Sequence, residues 1–255
     1  MSKHNTTQHR HTILALLTEQ SAVSVGELAK RLETSEVTIR KDLAALESNG
    51  LLLRRYGGAI TMPQELVGDL AQPISAHKRA IARAAVMRLR EHARIIIDSG
   101  STTAAMIPEL GHQPGLVVMT NSLHVASALS DLEHEPVLLM TGGTWDPHSD
   151  SFQGQVAEQV LRSYDFDQLF IGADGIDLER GTTTFNELLG LSRVMAEVAR
   201  EVVVMVESDK IGRKIPNLEL PWSSVHTLIT DDRLPLEARD QIQARGITLI
   251  CAAVI

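Results

Sequence analysis

Seven short apolar runs constrain most strongly what the chain beyond about residue 77 can become. RIIID (94–98), LVVMT (116–120), PVLLMT (136–141), QLFIGA (168–173), VVVMVE (202–207), HTLIT (226–230) and ITLICA (247–252) are separated by stretches with helical spacing. A strand with one wet face alternates apolar and polar residues, whereas a continuous apolar run is a strand covered on both faces. Such strands alternating with helices predict an α/β layer sandwich around a mostly parallel sheet. Ligands of such sheets bind at the C-terminal ends of the strands, so the loops after the runs are where a site is expected.

Those loops carry groups suited to a small anionic, hydroxyl-rich ligand. After the first run come Asp98, Ser99, Gly100, Ser101, Thr102 and Thr103 at a helix start, several donors that can converge on one phosphate. Helix capping alone accounts for the same residues, so this loop leaves both readings open. Asn121 and Ser122 repeat the device after the second run, and Gly142 and Gly143 after the third permit close backbone approach. The fourth run exits into Asp174 and Asp177, then GTTTFNE with Asn186 and Glu187. Asp174 and Glu187 are suited to orienting polyol hydroxyls, although loop carboxylates also cap helices. After the fifth, Ser208, Asp209, Lys210 and Arg213 follow directly, and Lys210 is the cationic partner expected for a phosphate or sugar hydroxyl.

The first sixty residues have a different grammar. Ile13, Leu14, Leu16 and Leu17 give a first amphipathic helix between Arg10 and Glu19. Ser24 with Glu27 three residues on is a capping signal for a short second helix. Ser35 is an N-cap for a third, with Ile39, Leu43 and Leu46 inward and its end at Asn49-Gly50. So tight a link between two helices predicts a helix-turn-helix. The positions of the third helix not used for the core are read as Glu36, Thr38, Arg40 and Lys41, in the turns that enter the major groove in such motifs. Arg40 suits a guanine, Thr38 a thymine methyl or a phosphate, and Lys41 a phosphate, while Glu36 accepts from cytosine or holds Arg40. The run LLLRRYGGAIT reads as strand, Gly-Gly turn and strand, a wing with Arg54, Arg55 and Tyr56 near its tip.

Residues 5–61 are therefore expected to form a DNA-binding winged helix-turn-helix, 62–76 a linker rich in turn residues, and 77–255 the ligand-sensing unit. Charge agrees with the division. Residues 1–61 carry eight Lys/Arg against six Asp/Glu, or +2, and the rest of the chain carries −10 of the total −8. The single cysteine, Cys251, lies in an apolar run and is read as core. No apolar stretch suits a membrane span or a leader, which predicts a cytoplasmic protein without a membrane partner.

EVTIRKDLAALESNG followed by RRYGGA closely resembles the N-terminal domain of the DeoR family of bacterial sugar-operon regulators, and DSGST, TNS, GADGID, TTTFNE and ESDKIGRK resemble its C-terminal sensor domain. The resemblance covers residues 9 to about 235, and FIGADGID with TTTFNE is most similar to the glucitol operon repressor group of that family. In the family TIRKDL lies on the recognition helix and RxYGGA forms the wing, which places Ser35, Glu36, Thr38, Arg40 and Lys41, with Arg54, Arg55 and Tyr56, at the DNA. The sensor domain is similar in fold to ribose-5-phosphate isomerase. The resemblance implies a repressor of a sugar or polyol catabolic operon that binds double-stranded operator DNA, responds to a phosphorylated sugar or polyol, and assembles as a homo-oligomer.

The competing class is a sugar-phosphate isomerase with a DNA-binding appendage. Moving a proton between adjacent carbons requires a positioned carboxylate base. Where such isomerases carry a motif like DGADE, this chain has Ile171-Gly172-Ala173-Asp174-Gly175, which lacks the first Asp and the final Glu. That departure favours binding over catalysis. Neither a GxxxxGK[ST] loop nor a GxGxxG after a strand is present, and the ten histidines show no metal-binding spacing, so no cofactor and no metal are expected.

Overall fold

The computed structural model describes residues 3–20, 22–47, 52–55, 57–61, 74–111, 113–147, 149–186, 189–213 and 215–254. Contacts divide the chain into two compact units, residues 1–71 and 72–255.

The first unit contains α1 (Lys3–Gln20), β1 (Ala22–Ser24), α2 (Val25–Arg31), α3 (Glu36–Glu47), β2 (Leu52–Arg55) and β3 (Gly58–Thr61). Both short helices start where the capping residues predict. Ser24 Oγ accepts from Glu27 N at 3.1 Å and Ser35 Oγ from Thr38 N at 3.2 Å, each satisfying a backbone donor with no partner inside its helix. Ile13, Leu17, Leu28, Ile39, Leu43 and Leu52 close one core between the three helices and the sheet, each side chain contributing about 1.5–3 kcal/mol of hydrophobic stabilisation. The helix end at Asn49-Gly50 lies outside the described residues.

Three features differ from expectation. α1 begins at Lys3 rather than near Arg10. β1 is a third strand, pairing with β3 in the order β1-β3-β2. Of the two glycines expected to make the wing turn, Gly57 lies outside the strands at φ +80°, while Gly58 is the first residue of β3. β1 explains the last point: a Cβ on Gly58 would lie 2.2 Å from Val23 O, so this strand needs glycine for close approach rather than for a turn.

The second unit is built on a seven-stranded sheet. Its strands are β4 (Arg94–Ile97), β5 (Val117–Thr120), β6 (Val137–Met140), β9 (Phe166–Ile171), β12 (Ala199–Met205), β14 (Thr227–Asp231) and β15 (Thr248–Ala252), in the order β15-β14-β12-β9-β4-β5-β6. Every pairing in it is parallel, and the seven strands are the seven apolar runs. Alternate residues serve opposite faces. Ile95, Ile97, Phe170, Val203 and Ile229 pack under α4 (Ala76–Val86), α5 (Ser101–Ala104), α6 (Ile107–Leu110) and α7 (Leu123–Ser130). Ile96, Leu169, Ile171, Val204 and Leu228 pack under α8 (Gln155–Arg162), α9 (Gly190–Glu197) and α10 (Leu236–Gln243). That is the physical reason the runs lack polar alternation.

Elements not foreseen in the sequence are antiparallel. β7 (Thr144–Asp146) and β8 (Ser151–Gln153) form a hairpin. β10 (Gly175–Asp177), β11 (Gly181–Thr184) and β13 (Asn217–Pro221) form a small sheet in the order β10-β11-β13. No helix among the described residues is long and apolar enough to cross a membrane.

Candidate nucleic-acid interface and ligand site

In the first unit the buried face of α3 is Ile39, Asp42, Leu43 and Leu46, which turns Glu36, Val37, Arg40 and Lys41 to solvent. Arg40 Nη2 donates to Glu36 Oε2 at 2.7 Å, an i,i+4 pair with both side chains more than half exposed. Thr38 is half-buried and its hydroxyl lies 3.0 Å from Ser35 Oγ, so the cap occupies it. Arg54 is tied back to the end of α3, its Nε donating to Glu47 Oε2 at 2.7 Å. Tyr56 and the side chain of Arg55 lie outside the described residues. Asp42 was not foreseen. It is 2% exposed and accepts from Arg10 Nε at 3.1 Å with His9 Nδ1 at 3.6 Å, joining α1 to α3. Its signal was a carboxylate on the apolar stripe of a helix.

In the second unit the strand order runs outward from β4 in both directions, through β5 and β6 on one side and β9, β12, β14 and β15 on the other. The chain reverses direction between β4 and β9, which is where open α/β sheets bind ligands. Asp98, at the end of β4, closes that point. Its Oδ2 accepts from Gly172 N at 2.8 Å across the gap to β9, and its Oδ1 accepts from Gly100 N at 3.0 Å and from the Thr103 hydroxyl. Burial raises the Asp98 carboxyl above its ordinary range and the negative charge of Asp174 adds to this, against three hydrogen bonds that lower it.

The loop after β4 was expected to present six residues to one ligand, and it divides instead. Ser99, Gly100 and Ser101 remain partly accessible, while Thr102 and Thr103 are buried. Asn121 and Ser122 are also buried. Ser122 Oγ caps α7 through Val125 N at 3.3 Å, and Asn121 binds the Phe152 backbone of the β7–β8 hairpin. Gly142 faces open space at φ +59°, whereas a Cβ on Gly143 would meet Gln153 O at 2.5 Å. Asp174 accepts from the Thr184 hydroxyl at 2.6 Å and from Phe185 N at 3.1 Å, and Asn186 is held by Asn217 Nδ2 at 3.1 Å. Glu187 lies outside the described residues. Asp177 caps the β10–β11 turn, accepting from Glu179 N and Arg180 Nε, and these bonds hold its carboxyl low despite burial.

Two lysines stand at this edge of the sheet with only 8% of their surface exposed. One is Lys210, the cation that the sequence puts directly after a strand; the other is Lys78, in the first turn of α4. Lysines are almost never buried without a partner. Lys78 Nζ donates to Ser101 Oγ at 2.9 Å, whereas Lys210 has no side-chain hydrogen bond or ion pair among the described residues. The sequence signal for Lys78 was its place one turn before Ile81 and Ala82, on the stripe α4 buries. Beside it Ser75, the N-cap of α4, accepts from Lys78 N and donates to Glu207 Oε1 at 3.1 Å after β12.

Glu219 on β13 was not foreseen either. It is 9% exposed, takes hydrogen bonds from Ser192 at 2.7 Å and Thr182 at 3.3 Å, and is pushed up to about 7 by burial, with Asp174 and Asp98 adding to the rise. Its sequence signal was a glutamate between Leu218 and Leu220 on an antiparallel strand. Asp231 at the end of β14 shows the opposite outcome. It is fully buried, yet Arg233 and Ser208 supply five donor contacts that outweigh burial and hold the carboxyl far below its usual range. His77 comes close enough to Asp231 and Asp232 for the three to hold a metal ion, a meeting that the scattered histidine spacing does not disclose. Both Asp231 oxygens are already engaged by Arg233 and Ser208, which leaves this group a poor cation site.

Known proteins resemble the chain along its whole length. Residues 10–65 match the family model of the DeoR-like helix-turn-helix domain, and residues 74–232 that of the DeoR C-terminal sensor domain. A chain of Escherichia coli O157:H7, named for repression of transcription of the aga operon, is 39% identical over 96% of this chain and 93% of its own. The HTH-type transcriptional regulator GlpR of Haloferax volcanii is 30% identical over 95% of this chain and 96% of its own. The HTH-type transcriptional repressor GlcR of Bacillus subtilis is 30% identical over 93% of each. Among solved structures, a ribose 5-phosphate isomerase A from Methanocaldococcus jannaschii covers 52% of this chain and 53% of its own at 22% identity and a TM-score of 0.40, too distant to bear on activity. With both units matched in order and relatives matched from end to end, this chain belongs to the DeoR family of transcriptional regulators.

Proposed function

We propose that the chain is a transcriptional repressor of a sugar or polyol catabolic operon, binding operator DNA through α3 and the wing and releasing it when a phosphorylated sugar occupies the sheet edge of the second unit. The observation that carries the effector reading is the pair of buried lysines, Lys78 and Lys210, at the ends of strands that otherwise offer hydroxyls, backbone donors and carboxylates. Cations suit a phosphate there, and Asp174 suits the hydroxyls of a polyol. The relatives matched over the whole chain are named regulators, and the chain is a regulator rather than an isomerase.

The route of the signal follows from the same residues. In sequence, the segment after β3 leads into the second unit at Ser75 and the first turn of α4. Ser75 bonds Glu207 and Lys78 bonds Ser101. A ligand drawn to Ser101 and Lys78 competes for the contacts that fix this turn, so the helix entered from the DNA-binding unit responds to occupancy. Linkage then requires effector and operator each to weaken the other's binding by the same factor. Such regulators act as homo-oligomers on two-fold symmetric operators in the cytoplasm, and the same assembly is proposed here.

The test is fluorescence anisotropy of labelled DNA from upstream of the protein's own gene, titrated with a panel of sugar and polyol phosphates. Salt-sensitive binding released by one phosphate and not by its unphosphorylated parent is the expected result. Binding that no compound changes would overturn the effector assignment. Absence of specific binding, together with turnover of an aldose or ketose phosphate, would overturn the repressor reading.

A further inference from the structure

The solvent face of α3 in its first two turns is made by Glu36, Val37, Arg40 and Lys41. Three of them are charged. Val37 is aliphatic and 60% exposed, on a helix whose other branched aliphatic side chains, Ile39, Leu43 and Leu46, are at most 3% exposed. With 3.6 residues per turn, Val37 sits beside Arg40 and Lys41 on one face. The neighbouring residue that sequence suggested for an apolar base contact, Thr38, is half-buried with its hydroxyl held at the Ser35 cap. Arg40 is held by Glu36 at 2.7 Å, which orients its guanidinium along the same face.

We propose that Val37 reads a thymine through its 5-methyl group in the major groove, next to the base pair met by Arg40. The proposal rests on the DNA-binding reading above. The thymine methyl is the apolar group that base edges present in the major groove, and it marks T·A against the other pairs. A valine side chain has no donor or acceptor, so its available route to base discrimination is contact with that methyl. Residues three apart on a helix are separated by about 4.5 Å along the axis, close to the roughly 3.4 Å between successive bases of one strand, which places the Val37 and Arg40 contacts on adjacent pairs.

The experiment uses the full chain and DNA from upstream of its own gene, with the protected segment mapped by footprinting. Each thymine in that segment is replaced singly by deoxyuridine, which removes the methyl and keeps every hydrogen-bonding group. At one thymine, and at its symmetry mate, replacement is expected to weaken wild-type binding about fourfold, the effect of one methyl losing its buried contact. Val37→Ala, which removes the contact in both half-sites, should bind the unmodified operator about sixteenfold more weakly and be insensitive to deoxyuridine at that thymine, while Val37→Ile should keep the sensitivity. Because the side chain is exposed, these variants leave the core of the unit untouched.

Tolerance of deoxyuridine at every thymine, with Arg40→Ala still weakening binding, would overturn the Val37 assignment and leave the DNA-binding reading in place. Sensitivity that persists in Val37→Ala would overturn it as well, by assigning the methyl to another side chain. A chain whose DNA affinity is unchanged by Arg40→Ala and Lys41→Ala together would overturn both, since α3 would not be the reading helix.

Discussion

The solvent face of α3 and the C-terminal edge of the large sheet use similar charged side chains in opposite ways. On α3 the Glu36–Arg40 pair has both partners more than half exposed. At the sheet edge Asp231 is fully buried and Lys78 and Lys210 are 8% exposed, and in the small sheet Glu219 on β13 is 9% exposed. An exposed pair is worth about 0–1 kcal/mol and is readily exchanged for a phosphate or a base edge. Asp231 and Glu219 hold their places through several hydrogen bonds, and removing one partner strands the rest. Exposed charge suits a polyanion whose sequence varies from site to site, while buried charge suits one small ligand of fixed shape.

The comparison can be broken in five places. The largest effect is expected from Gly58→Ala, since the new Cβ would lie 2.2 Å from Val23 O, a backbone atom with nowhere to move. Loss of about 3 kcal/mol in the first unit is expected, seen calorimetrically as a lowered transition while that of the second unit stays. Lys78→Met comes next. Replacing the buried ammonium by an apolar isostere should weaken effector binding about 100-fold, or roughly 2–3 kcal/mol, with operator affinity unchanged; a parallel loss of DNA binding would show that the two regions are not separable. Arg40→Ala should cost about 1–3 kcal/mol and relax preference at one base pair if it reads guanine. A uniform loss across operators with a shallower salt slope would make it a phosphate contact.

Glu219 gives the pH test. The folded chain keeps its proton to about pH 7, whereas an unfolded glutamate releases it near 4.5. Folding therefore takes up a proton between those values, and this group's contribution to stability falls as pH rises through that window. Glu219→Gln, which keeps an oxygen acceptor and carries no charge, should flatten the dependence and gain about 1–2 kcal/mol at pH 8 relative to wild type. Identical pH profiles in urea titrations would refute the shift. The smallest effect is expected from Ser75→Ala: loss of the cap costs about 1 kcal/mol, and the response of DNA affinity to effector should drop while effector affinity, measured by calorimetry, changes little.

Much of the architecture was legible because its causes are local. Ser24 and Ser35 cap the helices their spacing assigns, and the seven apolar runs become the seven parallel strands. Each run lacks polar alternation because both its faces are covered. β10, β11 and β13 were not legible: GID and GTTT have no apolar run to mark them, and their pairing with residues 217–221 joins distant stretches. In the candidate site, the loops after the strands were found from strand polarity, but which of their side chains face outward was not. Thr103 and Ser122 carry the same hydroxyls as Ser101, and only packing shows that they are enclosed.

Sequence alone thus determined the two-part organisation of the protein, its helix-turn-helix, its parallel strands and the edge at which a ligand is sought, because capping and hydrophobic periodicity act over a few residues. Tertiary structure decided the pairing of buried charge: Ser75 with Glu207 across 132 residues, Glu219 with Ser192 across 27, Arg10 with Asp42 across 32. Helix packing and strand order brought those partners together, and a charge removed from water takes whichever donor the fold has placed within about 3 Å.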